Sequence, residues 1–247
     1  KKAQNDVCLN EDFFKLYKKF CPGPITFILR KLSKSKIKSI VSANLDTVAI
    51  RFPSHKIIRS VLKQINFPLA MPSANISSSI SPVNAEDVID EFKKDIKLVL
   101  DGGKSKIGIE STVVDLTGKP KILRPGIIQL KEIKAVLQKE IGLVKKNSNI
   151  LSPGMLKKHY SPGIPVFLNK KISNSKNAFI TFGKKYENKR NFYNLSKSSN
   201  LNEAASNLYK TLRKIKNLNF KKIFVVKIPN FGPGIAINDR LKRAAKK

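Results

Sequence analysis

The sequence is short of cysteine, histidine, methionine and acid. Cys8 and Cys21 are the only two cysteines among 247 residues. They form no CxxC pair and have no histidine nearby, so neither a zinc framework nor a disulfide scaffold is indicated. The two histidines, His55 and His159, stand too far apart in sequence to make a metal motif. No apolar run reaches the roughly 20 residues that a membrane-crossing helix needs, and the first residues lack the apolar centre of a signal peptide. A reducing, cytoplasmic setting with no membrane partner is the expectation. A starting methionine is missing too: residue 1 is lysine, and Met71 and Met155 are the only methionines. A processed chain or a fragment is therefore expected.

Aspartate and glutamate number 17 against 49 lysines and arginines, a net charge of +32. Such an excess ordinarily points to nucleic acid. Here the lysines are scattered rather than gathered in a basic arm. Lysine, asparagine and isoleucine are abundant together, as an AT-rich coding sequence would give. Two explanations stay open: compositional drift that places lysine on solvated faces, and a surface selected for polyanions.

With 41% hydrophobic residues the chain can bury one large core or two smaller ones. Helical and strand patterns alternate along it, which favours the α/β class. Residues 10–20 read as a helix with Phe13, Leu16, Tyr17 and Phe20 on one face, ended by Cys21-Pro22-Gly23-Pro24. Strands are expected at 25–29, 47–52, 67–71, 97–100, 113–114 and 121–124. Helices are expected where Ile57, Ile58, Val61, Leu62 and Ile65 recur, again over Val88, Ile89, Phe92 and Ile96, and from Leu130 to Ile141. Residues 142–165 lose periodicity and read as a linker with ordered contacts, because Met155, His159 and Tyr160 stand close together there. Beyond it, 166–168, 178–182 and 223–228 read as strands, 201–215 and 234–245 as helices, and 184–200 as a loop.

The stretch 67–82 has the layout of an anion site. A short apolar run stops at Pro72, and Ser73, Ala74 and Asn75 then stand at what should be the carboxyl end of a strand, where open α/β sheets bind ligands. Ser77, Ser78, Ser79 and Ser81 follow, and Asn84 is a good N-cap for a helix with Glu86 and Asp87 in its first turn. Backbone N–H groups and hydroxyls in such a place can hold an anion. Ser/Asn/Pro runs also make ordinary turns. Two arginines bear on the choice. Arg51 sits inside the apolar run Thr-Val-Ala-Ile-Arg-Phe, and Arg124 ends a short strand at a turn. An arginine so placed needs an anionic partner, either a protein carboxylate or a ligand.

Taken together the motifs resemble a known family. Cys-Pro-Gly-Pro-Ile-Thr (21–26), Asp-Thr-Val-Ala-Ile-Arg-Phe-Pro (46–53), Pro-Ser-Ala-Asn-Ile-Ser (72–77), Ser-Pro (81–82) and Asp-Gly-Gly (101–103) occur in order. Gly-Ile-Glu-Ser-Thr-Val-Val-Asp (108–115) and Leu-Arg-Pro-Gly (123–126) continue the series. The set resembles threonylcarbamoyl-AMP synthases, the YrdC-like family. Ser-Pro-Gly-Met-Leu-Lys-Lys-His-Tyr-Ser-Pro (152–162) and Ala-Ile-Asn-Asp-Arg-Leu-Lys-Arg-Ala-Ala (236–245) are similar to the linker and last helix of its longer, two-domain members. The resemblance covers nearly the whole chain. It departs at the start, where the family's first segment, with a tyrosine-containing turn and a Lys-x-Arg motif, has no counterpart. On this comparison the chain looks like an N-terminally truncated synthase, and such a fragment is expected to be inactive.

The resemblance implies a twisted, open, mixed-sheet catalytic domain over 1–141, incomplete at its N-terminus. A linker over 142–165 and a small Rossmann-like α/β domain over 166–247 follow. It implies a reaction in which L-threonine, bicarbonate and ATP give threonylcarbamoyl-AMP and pyrophosphate, with Mg²⁺ helping. The product passes to the machinery that modifies tRNA. Arg51 would pair with the threonine carboxylate, with Met71 and Ser111 lining the threonine site. Thr47, Ser73, Ser81 and Arg124 would contact ATP, Asn75 would support the Ser73 loop, and His159 or Tyr160 would approach the nucleotide. No protein nucleophile is required and none stands out. The alternative is a non-catalytic module that binds double-stranded RNA or tRNA through its basic face.

Overall fold

The computed structural model describes residues 2–143, 159–171, 176–186 and 190–246. Along the chain come α1 (Glu11–Phe20), β1 (Ile25–Arg30), β2 (Thr47–Arg51), α2 (Lys56–Gln64), α3 (Ala85–Phe92), β3 (Thr112–Asp115) and β4 (Lys121–Arg124). Then follow α4 (Leu130–Leu137), β5 (Gly142–Leu143), β6 (Val166–Phe167), β7 (Ala178–Thr181), β8 (Phe192–Asn194), α5 (Leu201–Lys216), β9 (Ile223–Val225) and α6 (Pro233–Ala244). The described residues gather into two units, one drawn from Lys1–Pro72 and Glu110–Met155, the other from Ser73–Ile109 and Leu156–Lys247.

In the first unit the strands form one mixed sheet in the order β2-β1-β3-β4-β5. β1 runs antiparallel to β2 and parallel to β3, and β3 runs antiparallel to β4. Because side chains alternate along a strand, Ile25, Phe27 and Leu29 of β1 point to one face and Thr26 and Ile28 to the other. The first face meets Phe13 and Leu16 of α1 and Ile133 and Leu137 of α4, in one core with Val48, Val114 and Ile122. Each fully buried Leu, Ile or Phe stabilises this layer by roughly 1.5–3 kcal/mol. α1 starts where Asn10 accepts the Phe13 N–H at 2.9 Å, and Lys139 anchors it through Asp12 at 2.7 Å. The opposite face carries only a small apolar group, Ile28, Val113 and Leu123, so there it is open to polar side chains.

The second unit has a four-stranded sheet in the order β6-β9-β7-β8, every pair parallel. All four residues of β7 are buried, as expected of a parallel strand covered on both faces. Ala204, Ala205, Leu208, Leu212 and Ile215 of α5 join Ile237, Leu241 and Ala244 of α6 in the core. Ile80, Val83, Ile109 and Tyr160 belong to the same core. A Cβ on Gly108 would lie 2.5 Å from the Ser206 backbone, and its φ is +74°. Only glycine therefore lets the 105–109 segment lie against α5.

The α/β class, with a mixed sheet and a second unit built on a parallel sheet, agrees with expectation. Three elements differ. Residues 67–71 form no strand: Phe67, Leu69 and Met71 are 55%, 39% and 66% exposed. Pro68 and Pro72 carry no N–H, so the stretch has few donors for a ladder, and no strand pairs with it among the described residues. Residues 97–100 likewise form no strand, and Leu98 and Leu100 face solvent. Conversely β8 lies within the expected 184–200 loop, paired to β7 through Phe192 and Tyr193. Most of the expected 142–165 linker, residues 144–158, lies outside the described residues.

Candidate functional site

Sheet register brings the two arginines to one row. Thr26 of β1 stands opposite Arg51 on one side and Val113 on the other, and Val113 stands opposite Arg124. Paired residues share a face, so Arg51, Thr26 and Arg124 all project from the side away from α1 and α4. A register shift between Val113 and Val114 bends β4 at this point. The Arg124 guanidinium donates from Nε to the Ser111 carbonyl and from Nη2 to Ser111 Oγ, both at 3.2 Å. Ser111 Oγ also shares a hydrogen bond of 2.7 Å with Thr26 Oγ1. Ser111 and Arg124 are buried, while Arg51 at the strand end is exposed.

This row is electrostatically one-sided. Although part of the Arg51 side chain reaches solvent, desolvation of its charge by the surrounding protein first, and then the Arg124 guanidinium, pull its pKa below the ordinary value. Both groups stay charged at neutral pH. No carboxylate pairs with Arg51 among the described residues. Two cations and two hydroxyls in one row of the sheet, with no carboxylate paired to Arg51 among the described residues, suit an anion. The bend after β4 is equally constrained. A Cβ on Gly126 would lie 2.4 Å from Thr112 N and 2.8 Å from the Ser111 carbonyl carbon, so glycine is required beside Ser111. Thr112 Oγ1 ties the same bend by donating to the Ile128 carbonyl at 2.8 Å.

The remaining expected residues of this unit lie elsewhere. Thr47 is opposite Arg30 at the far end of β2, four positions from Arg51, or about 13 Å along the strand. Met71 is 66% exposed and so is not the core residue its type would suggest. Thr26 was not singled out from the sequence, although a hydroxyl within Ile-Thr-Phe-Ile-Leu is the signal that would have found it.

The second unit holds the other expected residues. Ser73 is exposed, and Asn75 braces its own loop by donating from Nδ2 to the Ile76 and Ser79 carbonyls at 2.8 and 3.4 Å. Asn75 Oδ1 is enclosed with no hydrogen-bond partner among the described residues. Ser81 is buried. The loop meets the 159–162 segment through a parallel bridge of Ser79 with Ser161, where Ser161 N–H donates to the Ser78 carbonyl at 2.9 Å. Of the neighbouring pair, Tyr160 is 1% exposed, stacked on Tyr209 at 5.4 Å with Arg240 over its ring. His159 packs edge-on against Tyr160 and is the partly open member.

Burial pushes the Cys21 thiol up to about 11, so it stays protonated at neutral pH. Among the described residues no three His, Cys, Asp or Glu side chains gather to hold a metal ion. No helix among them is long and apolar enough to cross a membrane.

Residues 1–126 match the family described as Telomere recombination, Sua5_yciO_yrdC. Residues 128–246 match the one described as Threonylcarbamoyl-AMP synthase, C-terminal domain. The threonylcarbamoyl-AMP synthase of Pyrococcus abyssi is 34% identical across 93% of the chain and 72% of that protein. That of Bacillus subtilis is 32% identical across the same shares. The chain belongs to the threonylcarbamoyl-AMP synthase family. A crystal structure of P. abyssi Sua5 complexed with L-threonine superposes with a TM-score of 0.88 at 30% identity, over 99% of the chain and 77% of that structure. A double-alanine His/Tyr variant of the same P. abyssi protein superposes with a TM-score of 0.87. Membership of the threonylcarbamoyl-AMP synthase family makes the chain an enzyme of the two-domain form, with ATP as a substrate.

Proposed function

We propose that the sheet face carrying Arg51 and Arg124 is where the chain holds L-threonine and the reacting phosphate while it forms threonylcarbamoyl-AMP. The observation that carries this is the row Arg51–Thr26–Arg124 with Ser111, two cations and two hydroxyls with no acid paired to Arg51. Arg51 takes the threonine carboxylate, and Ser111 borders it. Arg124, held by Ser111, faces the nucleotide phosphates, so one serine links the two substrate contacts. Ser73, Asn75 and Ser81 supply hydroxyl and amide contacts to ATP from their loop, with His159 beside it. Thr47 and Met71 keep secondary parts, as a nucleotide contact and a wall of the threonine site.

The chemistry needs no protein nucleophile. The threonine amine attacks bicarbonate, water leaves, and a carbamate forms. A carbamate oxygen attacks the α-phosphorus of ATP as the bond to pyrophosphate breaks. The residues contribute position and charge: a fixed carboxylate, a neutralised phosphate and shielding from water. The described residues do not form a metal cage, so Mg²⁺ would arrive on the phosphates of ATP, as is usual for that ion. The product would then pass, in the cytoplasm, to the enzymes that complete threonylcarbamoyladenosine in tRNA. Reading the chain instead as a double-stranded RNA or tRNA-binding module rests on the charge of +32 alone, and any RNA contact through scattered lysines would be weak and salt-sensitive.

The test is pyrophosphate release with L-threonine, bicarbonate, ATP and Mg²⁺. In a protein of the relatives' full length, release that needs all three substrates and falls at least tenfold in Arg51→Ala is expected. Release that ignores threonine would refute the proposal.

A further inference from the structure

The second unit contains an arrangement that the reaction does not by itself require. Arg213, in the last turns of α5, is nearly buried, yet it does not serve its own sheet. Its Nη2 donates to the Ile80 carbonyl at 2.6 Å and to Glu91 Oε2 at 3.2 Å, and its Nε donates to the Ser81 carbonyl at 3.4 Å. Asp87 lies 3.8 Å away. The two acids continue the network into the loop. Glu91 Oε1 accepts from Ser79 Oγ at 2.6 Å and from the Ile76 N–H at 3.1 Å, and Asp87 Oδ2 accepts the Val83 N–H at 2.8 Å. Thus five positions between Ile76 and Val83 hang on three charged side chains, all within this unit.

The pieces come from two sides of the chain. The loop and α3, which carries Asp87 and Glu91, lie in the stretch matched by the first family, whereas α5 lies in the stretch matched by the C-terminal one. Ile80 and Val83 are buried in one core with Leu208, Tyr209 and Leu212, so the apolar contacts alone would keep the loop attached. They do not fix where its carbonyls and hydroxyls point, because apolar packing is not directional. The planar guanidinium is directional: it fixes two successive carbonyls and a carboxylate at once.

We propose that Arg213 is a positioning residue for the nucleotide loop. Acting through the Ile80 and Ser81 carbonyls and through Glu91, it sets the places of Ser73, Asn75 and Ser81. Arg213 thereby takes part in ATP binding without itself touching ATP. This rests on the reading that the loop meets ATP.

The test is calorimetric titration of the chain with ATP and, separately, with L-threonine, for Arg213→Ala, Arg213→Lys and Glu91→Gln. Arg213→Ala should weaken ATP at least tenfold and leave threonine within twofold, because Arg51 and Ser111 belong to the other unit. Arg213→Lys keeps the charge but not the fork and should fall between. Amide exchange at Ile76, Ser79 and Val83 should quicken in Arg213→Ala while β7 and β9 keep parental rates. A purely structural role would instead speed exchange throughout the unit and weaken both ligands together, and that result overturns the proposal. So would parental ATP affinity in Arg213→Ala. If Arg213→Ala does not fold, the lysine and glutamine variants carry the same split. An unsubstituted chain that binds no ATP would count against the reading of the loop's function. Exchange confined to 76–83 would still support the clasp in that case, and unchanged exchange would overturn it.

Discussion

Replacing Arg124 by methionine should roughly halve the stability that ATP adds to the chain. Methionine keeps most of the volume and removes two hydrogen bonds to Ser111, both at 3.2 Å. At that length each lies at the weak end for a charged donor, about 1.5 kcal/mol. Losing Arg124 also relieves the like charge beside Arg51, which offsets part of the cost. A net loss of about 1–2 kcal/mol follows, or roughly 2–8 °C in Tm for a chain of this size. Ligand linkage gives the sharper comparison. ATP at 100 times its Kd adds about 2.7 kcal/mol to the parent, a rise of roughly 5–11 °C. If Arg124 contacts phosphate and its loss weakens ATP tenfold, the same concentration adds only about 1.4 kcal/mol, roughly 3–6 °C. Scanning calorimetry with and without ATP reads both quantities. Equal ATP-induced shifts in parent and variant would refute the phosphate role, whatever happened to the unliganded Tm.

Two further outcomes follow from the same geometry. Gly126→Ala places a methyl 2.4 Å from Thr112 N, so the backbone beside Ser111 must move; a loss of about 1–3 kcal/mol in urea unfolding and weaker threonine binding are expected, and parental values for both would contradict the packing. For Glu91, burial raises the carboxyl pKa, but the Ser79 and Ile76 hydrogen bonds and Arg213 outweigh it and hold the pKa below the ordinary 4.5. The unfolded carboxyl then binds protons more readily than the folded one. This stabilisation is fully present above that ordinary value and is lost as pH falls through the lower folded one. Exchange at the Ile76 amide should therefore quicken below about pH 4.5 in the parent and show no such step in Glu91→Gln.

Much of this could be read from the residues, and the failures have a common cause. The apolar run Ile-Thr-Phe-Ile-Leu and the isolated Arg51 located the sheet and its cation, because apolar runs and charge are local properties. Asn84 announced a helix start for the same reason and accepts the backbone N–H of Asp87 three residues on. Register is not local. Only strand pairing shows that Thr26 lies between Arg51 and Ser111, or that Thr47 stands at the far end of β2. Residues 67–71 have strand composition but no strand partner among the described residues, and a strand exists only with one. β8 is the reverse case, a short polar-flanked segment that β7 recruits. Tyr160 looked like a linker residue and is a core aromatic, since a ring over Tyr209 and under Arg240 could not be inferred from its neighbours in sequence. Arg213 was one of many cations on an amphipathic helix, and nothing nearby marked it as the one that reaches back to Ile80.

The central claim is that Arg51, beside Ser111, receives the threonine carboxylate. Calorimetric titration of L-threonine into the chain and into Arg51→Ala tests it most directly. A lost charge-assisted pair of about 1.5–3 kcal/mol predicts affinity lowered roughly ten- to a hundred-fold, with ATP affinity within twofold of the parent. Equal threonine affinity in the two proteins would contradict the account.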